Sequence, residues 1–252
     1  MNLPFRTLAN SYDVARRDYP DTVINLVNQI IDNCDADSID LTELSRLKLI
    51  VDLGCGTGIS TRQLDDISRN IIGVDLDLEM LNKAIVQSPS EIQYICSDVA
   101  SLKLDKPVDV VTMFASMHWF SDSESMDAIK NLMTNSGIVI AVNRLDIEFR
   151  TAIVKIINKY KHEDRGDIKK NFSHEKVFAE NSFKIISADL IDDVEIYSEV
   201  QLENYISSMS VYNFVDDVDK PKVIEEIKAS LLDSNGICNR KVVFQVTSAK
   251  LA

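Results

Sequence analysis

Three glycines at alternate positions follow a short apolar run in residues 48–58, which read KLIVDLGCGTG. β-Branched residues stand at the centre of this run, as in a strand that is buried on both faces of a sheet. The glycines let the chain turn tightly at the end of the strand and let a ligand approach the bare backbone. The segment therefore predicts a buried parallel strand that ends at a ligand site.

Strands and helices alternate on both sides of the glycines. Predicted strands cover residues 49–53, 70–75, 92–96, 108–114 and 137–142, and predicted helices cover 21–34, 59–67, 79–87 and 122–133. A strand, a helix and a strand in close succession form a unit whose strands are parallel and whose crossover is right-handed. Five strands with helices between them predict an α/β fold with a doubly wound sheet.

The pattern loosens beyond residue 143. Here the sequence predicts helices at 148–161, 201–209 and 220–232, a charged loop at 162–173, two strand-like runs within 183–200 and a strand at 241–248. We expect a single domain over residues 1–252, with a cofactor-binding half at about 40–145. Lid or substrate-binding insertions are expected at about 1–20, 144–182 and 201–219.

Composition limits the partners. The 252 residues are 45% hydrophobic, and 27 Lys and Arg stand against 40 Asp and Glu, which gives a formal net charge of -13. Such a surface repels a phosphate backbone, so we expect no nucleic acid partner. No apolar run approaches the roughly 20 residues of a membrane span, and the first residues lack the apolar stretch of a signal peptide. We therefore expect no membrane partner and a cytoplasmic location, whereas the oligomeric state is left open.

The cysteines and histidines predict neither a metal site nor a disulfide framework. The four cysteines have no C-x-x-C spacing, and the three histidines do not cluster with them: Cys34, Cys55, Cys96, Cys238, His118, His162 and His174. Zinc sites and disulfide-stabilised folds show closer and more regular spacing. Buried, reduced thiols and no bound metal are the expectation.

Acidic residues end three of the predicted strands. Asp52 ends the first, Asp75 ends the second and lies 21 residues after Gly54, and Asp98 follows the third. A carboxylate in the second position can accept hydrogen bonds from a ribose diol, and one in the third can accept from an adenine amino group. The negatively charged pyrophosphate of a dinucleotide would gain little from Asp52, whereas a cofactor with an ammonium and a sulfonium would be attracted to this lining. The charge pattern favours S-adenosylmethionine over NAD.

These segments carry a family resemblance. VDLGCGTG at 51–58, GVDLDLEML at 73–81 and CSD at 96–98 resemble the motifs of class I S-adenosylmethionine-dependent methyltransferases, over about residues 48–143. The resemblance implies a mostly parallel seven-stranded sheet of the Rossmann-like methyltransferase fold with lid insertions. It also implies S-adenosylmethionine as cofactor and S-adenosylhomocysteine as product. The cofactor-binding residues it implies are Asp52, Gly54, Cys55, Gly56, Thr57, Gly58, Asp75, Leu76, Met80, Asp98, Val99 and Phe114.

Within these positions the resemblance implies particular contacts. The backbone of Gly54 and Gly56 would hold the amino acid part of the cofactor. Leu76 and Met80 would flank the adenine, and Val99 would offer it a backbone amide.

A narrower likeness points to the trans-aconitate methyltransferase-like group. FASMHWF at 114–120 is similar to a segment that follows the fourth strand in that group, and residues 5–20 resemble its opening. Arg17 stands where the group usually has proline, so the backbone path of the opening is less certain. A small-molecule acceptor is implied, and methylation of a carboxylate to a methyl ester is our first hypothesis.

Two alternatives remain open. A carboxylate acceptor is already ionised, whereas a hydroxyl or amine acceptor needs a group to take its proton, and His118 is the candidate base for that reaction. The chain could also be a non-catalytic cofactor-binding subunit.

Substrate-binding candidates come from several segments, because a bound acid should be neutralised by a cation and enclosed by aromatic rings. Four arginines could border the crevice, and Arg16 is preferred because it matches the group's opening. The candidates are Tyr12, Arg16, His118, Trp119 and Tyr212.

Overall fold

A computed structural model describes residues 17–33, 48–65, 70–160 and 173–252 of the chain. The helices in these ranges are α1 (Asp21–Asn33), α2 (Ile59–Leu64), α3 (Leu78–Gln87), α4 (Ser123–Leu132), α5 (Ile147–Ile157), α6 (His174–Glu180), α7 (Glu199–Ser207) and α8 (Lys220–Leu231). The strands are β1 (Ile50–Leu53), β2 (Ile71–Asp75), β3 (Gln93–Cys96), β4 (Val108–Phe114), β5 (Met133–Leu145), β6 (Phe183–Ser198) and β7 (Ile237–Leu251). Short 3-10 helices cover Met117–Trp119 and Ser210–Phe214. None of these described helices is both long and apolar enough to cross a membrane.

The strands form one seven-stranded sheet in the order β3-β2-β1-β4-β5-β7-β6. β1 pairs in parallel with both β2 and β4, β2 pairs in parallel with β3, and β4 pairs in parallel with β5. The chain order reverses direction between β1 and β4, and in open α/β sheets ligands bind in the crevice at such a switch point. The predicted α/β class with a mostly parallel sheet of seven strands is confirmed.

Local sequence explains where the central elements begin and end. All four residues of β1 are buried, as its β-branched and apolar side chains predict for a strand covered on both faces. Asp77 caps α3 by accepting hydrogen bonds from the amides of Glu79 and Met80. Asp122 caps α4 in the same way through the amide of Ser125. These elements lie within one or two residues of their predicted bounds.

Several elements differ from the sequence prediction, among them β7, which spans Ile237–Leu251 rather than 241–248. Residues 183–200 contain one long strand, β6, rather than two runs, because β6 is the last strand of the sheet and an outer strand tolerates charges such as Asp189 and Asp192 within its pattern. β5 begins at Met133 and ends at Leu145, beyond both predicted ends. α6 was not predicted, since its seven residues are too few to show a clear helical period.

The described chain divides into two compact units. One, called here the sheet unit, comprises the described residues within 18–144, 169–191 and 244–252, and the other, the helix unit, comprises those within 1–17, 145–168 and 192–243. The core of the sheet unit includes Val51, Val111, Met113 and Phe178. The core of the helix unit is built from α5, α7 and α8. The single domain and its insertions, drawn from the sequence, stay predictions.

A buried arginine organises the helix unit. The Arg240 guanidinium pairs with Asp146 and, at 2.8 Å, with Glu195, and all three side chains are at most 5% exposed. Its Cζ lies 5.0 Å from the ring centroid of Phe149 and 4.9 Å from that of Tyr205. Two carboxylates and two aromatic rings therefore surround one positive charge that is almost fully shielded from bulk water.

Removing this charge should destabilise the protein strongly. In Arg240→Met, Asp146 and Glu195 would stay buried without their cation, and breaking such a pair costs about 3–5 kcal/mol of unfolding free energy. Burial already raises the pKa of Asp146. Loss of the cation should raise it further, so protonation at lower pH should restore part of the lost stability. Urea denaturation near neutral pH and at about one pH unit lower measures both effects.

Lys222→Met is the matched control, because Lys222 pairs with Asp219 at 3.1 Å but is 67% exposed. It should change stability little at either pH. A small loss in Arg240→Met, or a loss that grows as the pH falls, would contradict the assigned role of Arg240.

Candidate functional site

The glycine loop, residues 54–58, connects β1 to α2. Gly54, Gly56 and Gly58 have φ angles of +69°, +56° and +78°, in the left-handed region that favours glycine. A Cβ atom added at Gly54 would lie 2.6 Å from the Ser116 Cβ, and one added at Gly58 would lie 2.5 Å from the Tyr94 hydroxyl oxygen. A Cβ atom at Gly56 would meet nothing within 4 Å. Packing within the protein therefore explains two of the glycines, and Gly56 leaves open space for a ligand.

Asp75 fixes the middle of the glycine loop. Its Oδ2 accepts a hydrogen bond of 2.8 Å from the backbone amide of Gly56, and its Oδ1 accepts one of 2.9 Å from the amide of Asp77. Burial raises the pKa of Asp75, and these amide hydrogen bonds oppose the shift. The last residue of β2 thus holds Gly56 in place, while its predicted contact with a ribose stays a prediction.

Asp52 lies fully buried beneath the loop, with none of its surface exposed. Its carboxylate accepts hydrogen bonds from the hydroxyls of Ser60 at 2.7 Å, Thr61 at 2.8 Å and Thr112 at 2.9 Å. Burial raises the pKa of Asp52 to about 6, against the lowering effect of the three hydroxyls. The carboxylate joins β1 to α2 and β4, and a direct cofactor contact stays a prediction.

The predicted adenine site has one polar and one apolar exposed residue. Asp98 is exposed, and its Oδ1 accepts a hydrogen bond of 2.8 Å from the amide of Ser101, which lowers the pKa of the carboxyl. Leu76, beside Asp75, has 51% of its surface exposed. Met80 and Val99 are buried. Asp98 therefore offers an ionised carboxylate that can accept hydrogen bonds, and Leu76 offers an exposed apolar surface. Met80 is buried in the interior.

A side-chain hydrogen bond connects the segment after β4 to the residue that precedes the glycine loop. Ala115 has a φ of +53°, which is uncommon for a residue other than glycine, and the buried Ser116 follows it. The Ser116 hydroxyl donates a hydrogen bond of 2.5 Å to the carbonyl oxygen of Leu53. The rings of His118 and Trp119 lie 4.7 Å apart between centroids, and Trp119 is 48% exposed. The tight turn thus brings two candidate acceptor-binding side chains out from the end of β4.

Tyr19 links the beginning of the described chain to the same edge of the sheet. Its backbone amide donates to Gln63 Oε1 and its carbonyl accepts from Gln63 Nε2, both at 2.8 Å. Its ring meets the ring of Phe114 edge-on, with centroids 4.8 Å apart. Phe114, predicted to bind the cofactor, is therefore a buried partner of Tyr19 in this structure.

The other predicted site residues have diverse positions. Cys55 is buried, and burial raises the pKa of its thiol well above the usual value, so it is not an activated nucleophile. Thr57 is 1% exposed, and its Oγ1 has no hydrogen-bond partner among the described residues. Tyr212 is buried in the helix unit and donates to the Lys220 carbonyl at 3.2 Å. Tyr12 and Arg16 lie outside the described residues.

Ser116, Tyr94 and Gln63 were missed by sequence reasoning. Ser116 stands inside the FASMHWF segment, and its small hydroxyl side chain in a turn after a strand was an available signal. Tyr94 and Gln63 carried no local signal, because each acts on residues far away in the chain. The described residues contain no group of three or more His, Cys, Asp or Glu arranged as metal ligands.

The chain is similar to known methyltransferases. Residues 50–136 match the model of a family described as a methyltransferase domain. An uncharacterised methyltransferase of Schizosaccharomyces pombe is 23% identical over 224 residues, which are 88% of this chain and 85% of the relative. Trans-aconitate 2-methyltransferase of Klebsiella pneumoniae is 36% identical over 90 residues, which are 34% of this chain and 35% of the relative.

A solved structure shares the fold. A candidate type II methyltransferase from Anaeromyxobacter dehalogenans superimposes with a TM-score of 0.62 at 15% identity, covering 93% of this chain and 96% of that one. The segment matched by the family model contains the glycine loop, Asp75 and Asp98.

Alanine substitutions should separate the roles of the glycines. Gly56→Ala and Gly236→Ala both place a Cβ at positive φ, +56° and +73°, with nothing within 4 Å, so each should lose a similar stability of about 1–2 kcal/mol. Only Gly56→Ala should also lose affinity for S-adenosylhomocysteine, by at least about tenfold. Gly54→Ala should lose about 1–3 kcal/mol more stability, because its Cβ meets Ser116.

Urea denaturation and calorimetric titration of these three variants supply the two readouts. Equal affinity in Gly56→Ala and Gly236→Ala would remove Gly56 from the ligand contact.

The buried carboxyl of Asp52 should make stability depend on pH. Its pKa is about 6 in the folded protein against an ordinary 3.8, so between these values the folded protein keeps a proton that the unfolded chain has lost. The free energy of unfolding should therefore fall as the pH rises through this window. Relative to Asp52→Asn, the wild type should lose about 1–1.5 kcal/mol between about pH 5 and about pH 7.5. A stability difference independent of pH in urea denaturation would show that Asp52 does not titrate in this range.

Proposed function

We propose that this chain, which belongs to the class I S-adenosylmethionine-dependent methyltransferases, methylates a carboxylate of a small molecule to a methyl ester. The observation that carries methyl transfer is the glycine loop, in which Gly56 has open space and its amide is held by Asp75. The choice of a carboxylate is supported by the stretch similar to trans-aconitate 2-methyltransferase.

The residues around the loop fit the cofactor in shape and charge. Gly56 allows close approach to bare backbone, and Leu76 offers an exposed apolar surface for a planar base. Asp75, at the end of β2, contacts Gly56, and the exposed Asp98 follows the neighbouring strand β3, so acids at these two strand ends would suit a ligand that carries an ammonium and hydroxyl groups. S-adenosylmethionine, when bound, supplies a methyl group on a sulfonium whose sulfur keeps the electron pair of the broken bond.

The chain's own contribution to transfer is binding, alignment and exclusion of water. Alignment of a nucleophile and removal of solvent lower the barrier for an in-line displacement. Trp119 presents a large, half-exposed ring that can cover an acceptor. Ser116 positions the segment of Trp119 against the start of the glycine loop through Leu53. These residues would hold the acceptor oxygen in line with the methyl group.

A carboxylate acceptor requires no general base. The segment 114–121 contains no Asp or Glu, and the next acid, Asp122, caps α4. Hydrogen bonds from the Ser125 amide and hydroxyl lower the pKa of Asp122. This carboxylate therefore caps the first turn of α4. Asp122 thus serves the helix terminus, and the proposed carboxylate acceptor is ionised before transfer without a proton being taken by His118.

His118 also carries the second candidate function. Its side chain is partly exposed beside Trp119 at the end of β4, where it could take a proton from a hydroxyl or amine acceptor. A methyl ether or methylamine would then be the product.

Transfer of a labelled methyl group from S-adenosylmethionine into small carboxylic acids, followed by mild alkali, distinguishes these functions. We expect label to be released as methanol, since methyl esters hydrolyse under these conditions. His118→Gln should keep activity within about tenfold, whereas loss of a general base lowers rates by about 100- to 10,000-fold.

Asp75→Ala is the control for cofactor dependence. It should lose at least about 1.5 kcal/mol of S-adenosylhomocysteine binding by calorimetry and lose transfer to every acceptor. Alkali-stable label together with an inactive His118→Gln would replace the ester by a methyl ether or methylamine.

A further inference from the structure

β6 is an outer strand of the sheet. It lies last in the strand order, next to β7, and none of the other described strands lies on its outer side. An outer strand presents a row of backbone N–H and C=O groups that point away from the sheet, and this row can pair with a strand of another chain. With 16 residues β6 is also long, whereas natural sheets usually keep their outer strands short or interrupted. The outer edge of β6 is therefore a surface for strand pairing.

One face of β6 is exposed and largely apolar. Side chains of a strand alternate between its two faces, so the even-numbered residues share one face. Every even-numbered residue from 184 to 196 is exposed, whereas the odd-numbered residues of β6 are buried or partly buried. The exposed row includes Ile186, Ala188, Leu190, Val194 and Ile196. These apolar side chains would gain contacts if a second strand brought a similar row beside them.

Two opposite charges stand on the same exposed face. Lys184 and Asp192 lie four residues before and four residues after Ala188. Within the part of the chain that the structure describes, neither of them forms a salt bridge. Because all three positions belong to one continuous strand, strand geometry alone sets their spacing, at about 3.3 Å per residue. The charges are thus placed symmetrically about Ala188.

Antiparallel pairing of β6 with β6 of a second copy matches these charges in one register. A two-fold axis through Ala188 places Ile186 opposite Leu190. The same axis places Lys184 opposite Asp192, and the symmetry gives each pair twice. An axis through Leu190 would instead place Asp192 opposite Ala188, and an axis through Asp192 would bring two carboxylates together. Cross-strand complementarity therefore favours the register about Ala188.

The overall charge makes such matching necessary. With a formal net charge of -13, two copies of the chain repel each other on average. Association therefore requires a surface whose own charges are complementary, and residues 184–192 combine such charges with exposed apolar side chains. Beyond this segment, Arg17 donates a hydrogen bond to the carbonyl oxygen of Ile196, so the backbone there already has a partner.

We propose that β6 pairs antiparallel with β6 of a second copy of this chain, about a two-fold axis at Ala188, and joins the two sheets into one. Residues 184–192 of each copy form the interface, which is called here the β6 pair. In the sheet order, β4, β5 and β7 separate β6 from β1 and its glycine loop. The β6 pair therefore does not depend on the proposed methyl transfer or on its acceptor.

Single cysteines test the register of the β6 pair. Cys34 and Cys96 are first replaced by Ser, which leaves the buried Cys55 and Cys238. Ala188→Cys then places two thiols opposite each other on the axis, where Cβ atoms are about 4.5–5.5 Å apart and a disulfide needs only a small shift. Mild oxidation with diamide should convert most of this variant to a covalent dimer on a non-reducing gel.

Ile186→Cys is the matched control for the cysteine experiment. It lies on the same exposed face as Ala188, but the axis places it opposite Leu190 rather than opposite its own copy. The two introduced thiols would be four residues apart along the strands, about 13 Å, which is too far for a disulfide. It should therefore stay monomeric on the same gel.

Charge reversal tests the ion pairs. In sedimentation equilibrium at micromolar concentrations, wild type should be dimeric, and Lys184→Glu should weaken association at least about tenfold because it places two carboxylates opposite each other. Lys184→Asp combined with Asp192→Lys exchanges the charges and should restore the dissociation constant to within about threefold of wild type. Lys106→Glu changes the net charge equally at an exposed position before β4 and should leave association unchanged.

The outcomes are decisive in both directions. A monomeric wild type together with no cross-linking of Ala188→Cys would overturn the proposal, and the charges of β6 would then only protect the sheet edge from pairing. A dimer that Lys184→Glu does not weaken, or that cross-links equally through Ile186→Cys and Ala188→Cys, would also overturn it, because another surface or register would hold the copies together. If Lys184→Glu fails to fold, the two cysteine variants carry the test.

Discussion

A buried carboxylate under the glycine loop is the constraint on which the site depends. Asp52 has three hydroxyl donors from two other elements, Ser60 and Thr61 on α2 and Thr112 on β4. Leaving a charge buried without such donors would cost several kcal/mol, so the hydroxyls and the acid require one another. These hydrogen bonds connect β1 to both α2 and β4 and so position α2 relative to β1. The loop between them contains three glycines with positive φ angles.

The open space at Gly56 lies in the middle of this loop. On one side Gly54 meets Ser116, and on the other Gly58 meets Tyr94, so the two ends of the loop are in contact with the protein. Asp75 accepts a hydrogen bond from the amide of Gly56, the middle residue, and the space where a Gly56 Cβ would lie is open. The ligand surface is therefore backbone that hydrogen bonds from the next strand keep in a fixed position, and binding requires little reorganisation there.

The carboxylates of Asp75 and Asp98 differ in how their negative charge is compensated. Both oxygens of Asp75 accept backbone hydrogen bonds, so its charge is compensated locally, whereas Asp98 is solvated. Across the switch point, the guanidinium of Arg144, near the end of β5, stacks on the rings of Tyr19 and Phe244. The acids that follow β2 and β3 and the arginine near the end of β5 are therefore on opposite sides of β1 in the sheet order.

Short-range patterns in the sequence were sufficient for the fold and for part of the site. The glycines, the strand-ending acids and the alternation of elements are local, and the sheet bears out the class they predicted. Ser116 and Tyr94 act across gaps in the chain, through contacts with Gly54 and Gly58 that no spacing rule encodes. The pairing of Arg240 with Asp146 likewise joins positions 94 residues apart. The sequence predicts two strands in place of β6 because acidic residues interrupt its apolar pattern. A strand at the edge of a sheet tolerates such residues, and the sequence pattern does not show that β6 is an edge strand.

The attachment of Tyr19 has a consequence for the order in which the protein is assembled on the ribosome. Tyr19 is made early, yet its partners are Gln63, Phe114, Arg144 and Phe244, which emerge progressively later. Contacts of such long sequence separation form late, because the intervening chain must first be ordered. The earliest-synthesised part of the described chain is therefore among the last to be fixed. The aromatic support of Arg144 is complete only after Phe244 has been translated.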